Sequence, residues 1–239
     1  MWSVWSKTIN IYLGQGVAML QVEGQETMLV RSPATLPMAR ILSKMTELAN
    51  KEVFKHSAIQ VSLSGAWCPA ISIAIPKGVT HWHERQQIAR ASAANVIGLE
   101  AEQIACEMSA VQGLAAAISF PIFQEIQAWT TGLGCRLKSV SPLWTTATQC
   151  KIGRRSSTKA VLLTEPDGST LLIGGDQDSI KVVNAPGVVD SKDFVSQSQS
   201  LLLEHGLSEE SVAKIGFDLD TRARMEGAPK RWVGHWYLA

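Results

Sequence analysis

The stretch NIYLGQGVAMLQVEG, residues 10–24, places Gly14, Gln15 and Gly16 between two apolar runs near the start of the chain. A third apolar run follows and ends at Val30. Short apolar runs separated by Gly-containing turns are typical of antiparallel strands. Residues 9–30 therefore predict a three-stranded antiparallel meander, whose first turn either holds a phosphate or only reverses the chain.

Helices and further strands are predicted after this meander. Apolar residues recur at helical spacing after Pro37, namely Met38, Ile41, Leu42, Met45 and Leu48. The pattern then predicts strands at 58–64 and 70–76, a helix at 84–97 that ends at Gly98, paired strands around Gly113, a helix at 121–129 and a strand within 135–144. Alternation of strands and helices indicates an α/β protein.

The opening pattern returns in AVLLTEPDGSTLLIGGDQDSIKVVNAPG, residues 160–187. When the two segments are aligned, Gly16 matches Gly168 and Pro33 matches Pro186 within one or two residues. A helix predicted at 190–205 completes the second unit. We therefore expect two lobes, at 1–150 and 151–239. The alternative is a chance similarity between amphipathic hairpins.

Four segments together resemble the actin-like, ribonuclease-H-like fold. They are INIYLGQGVAMLQVEG (9–24), ISIAIPKGVTHWHERQQIARASAANVIGL (71–99), AAAISFPIFQEIQAWTTGLGCRLKSVSPLW (115–144) and AVLLTEPDGSTLLIGG (160–175). Within that superfamily the chain resembles the cytoplasmic domain of the type II secretion L protein and the type IV pilus M protein. The resemblance implies two lobes with mixed sheets.

The resemblance also implies that the nucleotide site is degenerate. Active members carry an acidic residue two positions before the first glycine of the phosphate turn, where Tyr12 stands here, before Gly14 and Gly16. In the second turn, Glu165, Asp167 and Gly168 form part of EPDG, which is typical of an ordinary type I hairpin. A phenol does not replace a carboxylate as a magnesium ligand. We therefore expect no catalytic residues and no cofactor.

A non-enzymatic scaffold is the function that this resemblance implies. Its expected partners are proteins of a pilus or secretion inner-membrane complex, including an assembly ATPase, at the cytoplasmic face of the membrane and with only indirect membrane association. Two alternatives remain open: an actin-like ATPase that uses Glu165 or Asp167 in a non-standard way, and a metal- or small-molecule-binding α/β protein.

The composition of the chain limits the classes of protein to which it can belong. The chain has 239 residues, 46% of them hydrophobic, which is enough for a large core. Lys and Arg total 22 against 21 Asp and Glu, so no net field favours nucleic acid. No apolar run reaches the roughly 18 residues of a membrane span. Cys68, Cys106, Cys135 and Cys150 are widely spaced, which indicates buried reduced thiols.

Two further motifs have some of the residues that a metal site or a nucleophilic serine needs. His81 and His83 in HWHERQ have a spacing that suits a metal, with Cys68 or Glu84 as third ligand, although both histidines also fit a helix entry. Ser64 in SLSGAW lacks the first glycine of a nucleophilic serine turn. The sequence assigns no metal and no nucleophile to either motif.

Partner-binding candidates lie at the two ends of the chain and in the connector between the lobes. They are Trp2, Trp5, Arg154, Arg155, Trp232, Trp236 and Tyr237. Exposed tryptophans are favoured anchors at interfaces, and a basic cluster suits an acidic partner or phosphate. The alternatives are a solvated connector and an aromatic tail that docks on the body or precedes a membrane segment.

Overall fold

The structure is a computed structural model that describes residues 7–22, 28–49, 51–109, 113–149, 158–175, 180–187, 194–217 and 225–226. Within these ranges the chain forms two five-stranded sheets, one three-stranded sheet and helices between the strands. The α/β prediction is therefore confirmed. None of the helices in these ranges is long and apolar enough to cross a membrane.

The first five-stranded sheet is built on the opening meander. Its strands are β1 (Lys7–Gly14), β2 (Val17–Val22), β3 (Met28–Arg31), β4 (Ser57–Leu63) and β8 (Arg136–Pro142), in the order β3-β2-β1-β4-β8. β1 is antiparallel to β2 and parallel to β4. Because β1 is central and covered on both faces, Ile11, Tyr12 and Leu13 are all buried.

Helix α1 (Met38–Ala49) follows β3 and packs on this sheet, and the short α2 (Lys51–Phe54) follows it. The predicted apolar face is buried as far as Met45, but Leu48 is 61% exposed. Ala49 takes the last place on the buried face instead. Phe54 then packs edge-on against Trp129, with 5.6 Å between ring centroids.

A second unit is inserted between β4 and β8. It contains β5 (Ala70–Ser72), α3 (Trp82–Ile97), β6 (Ile104–Met108), β7 (Leu114–Ser119) and α4 (Phe120–Gly132), and its antiparallel sheet has the order β5-β7-β6. The prediction that β5 would reach residue 76 is wrong. Its partner strand begins opposite Ser72, at Leu114, and among the described residues the pairing beyond it is limited to the hydrogen bond from Ile73 N to Gly113 O.

The second five-stranded sheet follows the connector. Its strands are β9 (Ala160–Glu165), β10 (Gly168–Gly174), β11 (Ile180–Pro186), β12 (Val212–Phe217) and β13 (Met225–Glu226), in the order β11-β10-β9-β12-β13, with α5 (Phe194–Glu204) before β12. β9 is antiparallel to β10 and parallel to β12. The predicted second meander and its helix are present, although residues 190–193 lie outside the described residues.

The two large sheets repeat one topology. In each, a meander is followed by helical chain and by a strand parallel to the first. Strand pairing aligns Gln15-Gly16 with Pro166-Asp167, since Gly14 pairs with Val17 and Glu165 pairs with Gly168. Gly16 has φ +78° and faces Ser32 O closely, so the first turn requires glycine. The β9–β10 turn has the same length, but neither of its two residues, Pro166 and Asp167, has a positive φ.

The inserted unit also contacts the second large sheet. Ser72 Oγ donates to Ile180 O at 3.0 Å, and Asn184 Nδ2 donates to Ala70 O at 2.9 Å. One buried cluster of apolar side chains includes Leu13 from the first sheet and Leu163 from the second. The two sheets therefore share a hydrophobic core, and the short strand β5 lies beside β11.

The described cysteines are free thiols. Cys68 and Cys106 are buried, Cys135 is half-buried, and Cys150 lies outside the described residues. Burial is the main cause that raises the pKa of Cys106 to about 11, and it raises the pKa of Cys68 as well. These three thiols are protonated near neutral pH, which makes them weak nucleophiles.

Candidate functional site between the two meanders

A cavity of about 480 Å³ lies between the first turns of the two large sheets. Gln15 and the segment 65–67 line it from the first sheet, and Glu165, Asp167 and Thr170 line it from the second. Side chains of the inserted unit close another side with apolar surface, from Val96, Ile97, Leu99 and Ile122. The cavity therefore combines an acidic edge with an apolar wall.

The side chain of Asp167 reaches from the β9–β10 turn to the β1–β2 turn. Its Oδ2 accepts two hydrogen bonds of 2.6 Å, one from the backbone N–H of Gln15 and one from Ser64 Oγ. Gln15 belongs to the β1–β2 turn and Ser64 directly follows β4. Because β1 and β4 are parallel neighbours, their carboxyl ends meet at one edge, and the two donors converge there on a single oxygen.

The side chain of Glu165, next to Asp167, also contacts the first sheet. Its Oε2 accepts from the backbone N–H of Gly65 at 2.9 Å, and its Oε1 accepts from Tyr12 Oη at 3.3 Å. The same phenol lies 3.5 Å from Asp167 Oδ1. Tyr12 thus lies next to both carboxyl groups, and its one hydroxyl proton serves Glu165 Oε1 or Asp167 Oδ1, while the other two oxygens have donors of their own.

Glycine at two positions allows this close approach. A Cβ atom on Gly14 would lie 3.0 Å from Tyr12 Oη and 3.1 Å from Asp167 Oδ2. A Cβ atom on Gly65 would lie 3.0 Å from Thr170 Oγ1 and 3.2 Å from Glu165 Oε2. Real Cβ atoms seldom come so close, so a larger residue at either position displaces the carboxyl groups.

Burial dominates the electrostatics of the cluster. Glu165 is 2% exposed and Asp167 is 4% exposed. The pKa of Glu165 is raised to about 8, first by burial and then by the neighbouring Asp167, against the lowering effect of hydrogen bonds from Gly65 and Tyr12. Burial also raises the pKa of Asp167, while its hydrogen bonds from Ser64 and Gln15 oppose the rise. Two adjacent carboxyl groups that have no basic partner among the described residues resist holding two charges.

Tyr12 responds to the same environment. Its pKa is raised well above the usual value, by burial first and then by the charges of Glu165 and Asp167. The phenol therefore stays protonated and acts as a donor. Together with Ser64 and the two backbone N–H groups, it stabilises a carboxyl pair in which Glu165 holds a proton near neutral pH.

No described residues form a group of three or more His, Cys, Asp or Glu side chains that suits a metal ion. His81 immediately precedes α3 and His83 lies in its first turn, and both side chains are exposed. A ring nitrogen of His83 lies 3.0 Å from Gln87 Nε2. The structure thus places the two histidines at the helix entry, and neither lines the cavity.

Three of the cluster's contributors were not predicted as site residues. Gln15, Ser64 and Gly65 act through a backbone N–H, a hydroxyl and a second backbone N–H. The sequence placed Ser64 and Gly65 at the end of the strand predicted at 58–64, and the structure adds that this strand lies beside β1. Ser64 is fully buried and donates to Asp167, an arrangement that differs from an exposed nucleophile.

The predicted partner-binding residues lie outside the described residues: they are Trp2, Trp5, Arg154, Arg155, Trp232, Trp236 and Tyr237. The predicted phosphate-turn positions are all described: Tyr12, Gly14, Gly16, Glu165, Asp167 and Gly168. These six lie in or next to the facing turns, and the side chains of Glu165 and Asp167 are buried between the two sheets.

Comparison with solved structures identifies the fold. A Bacteroides thetaiotaomicron protein with an actin-like ATPase fold and unknown function matches 90% of this chain and 83% of its own, with a TM-score of 0.56 and 8% identity. The cytoplasmic domain of EpsL, an inner membrane component of the Vibrio cholerae type II secretion system, matches 97% and 91%, with a TM-score of 0.51 and 13% identity. A chain of the PilM–PilN type IV pilus biogenesis complex matches 84% and 66%, with a TM-score of 0.52 and 14% identity.

Sequence comparison adds no relatives. No protein-family model matches the chain, and no curated protein matches it. At 8 to 14% identity the structural likeness shows the fold and nothing beyond it. The repeated meander, the parallel strand beside each and the facing turns belong to the chain's actin-like fold.

Proposed function

We propose that this chain is a non-enzymatic actin-like scaffold that binds other proteins of a type IV pilus or type II secretion assembly at the cytoplasmic face of the inner membrane. The observation that supports it best is the 2.6 Å hydrogen bond from the Gln15 backbone N–H to Asp167 Oδ2. A phosphate bound at this turn needs that donor, and the protein's own carboxyl group already uses it.

The state of the cluster favours the same proposal. Tyr12 presents a protonated phenol where a magnesium-linked hydrolytic site needs anionic oxygen. Glu165 and Asp167 line the cavity, so a polyphosphate entering it would meet acidic groups. The cleft thus disfavours a nucleotide, while the folded body remains available for protein contacts.

The similar structures supply the biological context of the proposal. EpsL is an inner membrane component of a secretion system, and PilM forms a complex with PilN in pilus biogenesis. We extend the same kind of partner to this chain, with the assembly ATPase as a second candidate. We place the boundary between its lobes at residues 150 and 151.

A nucleotide-binding actin-like ATPase is the second candidate function. It is favoured by the cavity of about 480 Å³, which lies beside the two carboxyl groups and has the volume of a small-molecule site. In that case Glu165 or Asp167 would leave its present donors and orient a metal ion or water.

Two measurements separate these functions. Calorimetry with ATP and magnesium should show no binding by a scaffold, and micromolar affinity would favour the ATPase. Purified cytoplasmic segments of the inner-membrane pilus or secretion proteins encoded beside this chain, and the assembly ATPase, should each be tested for co-elution. A stable complex with one of these named proteins supports the scaffold, and failure of all of them contradicts it.

A further inference from the structure

Four donors converge on the carboxyl pair from one side of the cleft. They are the backbone N–H groups of Gln15 and Gly65 and the hydroxyl groups of Ser64 and Tyr12. All four belong to β1 or to the chain that directly follows β1 and β4. The acceptors all belong to the β9–β10 hairpin, some 100 to 155 residues away in sequence.

We propose that these four donors form an oxyanion site of the first sheet, and that Glu165 and Asp167 fill it as an internal substitute for a phosphate-sized ligand. The oxygens of the two carboxyl groups accept the hydrogen bonds of these donors, as the oxygens of a bound oxyanion would. This inference concerns the occupancy of the donors and does not require the partners that we propose above.

The geometry of the donors supports an anion and not a cation. Backbone N–H groups that point into one concavity bind negative groups, because each supplies a fixed positive partial charge. Ser64 is fully buried, so its hydroxyl is held in place and needs an acceptor. A cation at the same point would face these positive ends.

The carboxyl pair also explains how a site without a basic side chain stays filled. No Lys, Arg or His is present among the described residues that line the cavity. Asp167 receives the two shortest bonds, both 2.6 Å, while Glu165 carries a proton near neutral pH. A single negative charge in place of two suits four neutral donors.

The filled site is held by close packing. Gly14 and Gly65 bring the backbone within reach of the carboxyl oxygens, and a Cβ at either position would lie 3.1 or 3.2 Å from one of them. An external anion must therefore displace both carboxyl groups. We expect the unaltered protein to bind inorganic phosphate at least about tenfold more weakly than a protein without the pair, which corresponds to about 1.4 kcal/mol.

The test removes the substitute and supplies inorganic phosphate. E165A/D167A should bind phosphate with a dissociation constant at least about tenfold below that of the unaltered protein, by calorimetry and by thermal shift. Adding S64A should return the affinity toward the original value. E102A/E210A removes two exposed carboxyl groups elsewhere and should leave phosphate binding unchanged.

Three outcomes would overturn the inference. They are equal phosphate binding by the unaltered protein and E165A/D167A, no binding by a folded E165A/D167A protein, and an S64A addition without effect. An affinity for magnesium ATP in the unaltered protein contradicts the scaffold function, whereas these three outcomes contradict the filled oxyanion site. The two failures are therefore distinguishable.

A measurement on the unaltered protein covers the case in which E165A/D167A does not fold. The amide proton resonances of Gln15 and Gly65 should move with pH as Asp167 and Glu165 titrate, and the Gly65 midpoint should lie near about 8. The amide proton of Asn95, an exposed residue without an ionisable side chain, serves as the control. Gln15 and Gly65 resonances that do not respond to pH would contradict the proposed contacts.

Discussion

Asp167 Oδ2 lies 2.6 Å from the backbone nitrogen of Gln15, so the turn of the second meander is bonded to the turn of the first. The two residues are 152 positions apart in sequence. This relationship makes the facing turns one structural unit and explains why Asp167 is buried although it lies in a hairpin turn.

Ser64 should contribute to stability through its bond to Asp167. Replacing it in S64A leaves a buried carboxyl oxygen with one donor fewer, and we expect a loss of about 1 to 3 kcal/mol in the free energy of unfolding. Urea unfolding followed by circular dichroism measures it. S43A is the control, because Ser43 bonds to Glu47 at the exposed surface and should change stability by less than about 0.5 kcal/mol. Equal effects of the two substitutions would contradict the prediction.

The raised pKa of Glu165 predicts a pH dependence of stability. The folded protein holds this proton up to a pH of about 8, whereas the unfolded chain releases it near 4.5. The folded state therefore binds more protons in between, and its stability falls as pH rises from about 4.5 to about 8, by at most about 1.4 kcal/mol per pH unit for one group.

E165Q is the matched variant for that experiment. Glutamine keeps the shape of the side chain but has no proton to lose, so the slope between pH 4.5 and 8 should flatten. Denaturant unfolding at a series of pH values gives both slopes. An unchanged slope in E165Q would assign the pH dependence to other groups.

Gly14 should not tolerate a side chain. G14A places a methyl group 3.0 Å from Tyr12 Oη and 3.1 Å from Asp167 Oδ2, and we expect a loss of about 1 to 3 kcal/mol. G132A is the control, since a Cβ there meets nothing within 4 Å and Gly132 lies at the end of α4. The control should be neutral or stabilising by up to about 1 kcal/mol. A destabilised G132A with an unaffected G14A would reverse the expected order.

Tyr12 should tune the titration of Glu165. Its hydroxyl donates to Oε1 and favours the charged form, so Y12F should raise the pKa of Glu165 further. Carbon-13 NMR of the side-chain carboxyl group measures this value directly. A lower pKa in Y12F would mean that the phenol favours the protonated acid.

Local patterns were enough to predict the repeated meanders. The Gly turn at 14–16 and the EPDG turn both lie between apolar runs, and each run forms a strand. Periodicity was less reliable at helix ends, where Leu48 is exposed and Ala49 is buried. Side-chain packing decides such positions, and a spacing rule does not contain it.

The carboxyl cluster could not be predicted from local patterns, because its contacts join residues that are far apart in the sequence. EPDG has the composition of an ordinary type I hairpin turn, and nothing within it indicates that Glu165 and Asp167 reach Tyr12 and Ser64. Those contacts require the two sheets to approach with their turns facing each other. Ser64 and Gly65 likewise become part of the site only because β4 lies beside β1.

The short strand β5 has a mechanical consequence for the whole molecule. Ala70 and Ser72 form hydrogen bonds with Asn184 and Ile180 of β11, respectively. The inserted unit therefore contacts an edge strand of the second large sheet as well as forming its own sheet. A rotation of one half against the other would break both hydrogen bonds as well as the carboxyl contacts. In the described part of the chain, the two halves are thus joined at two separate points, and these contacts oppose a hinge motion between them.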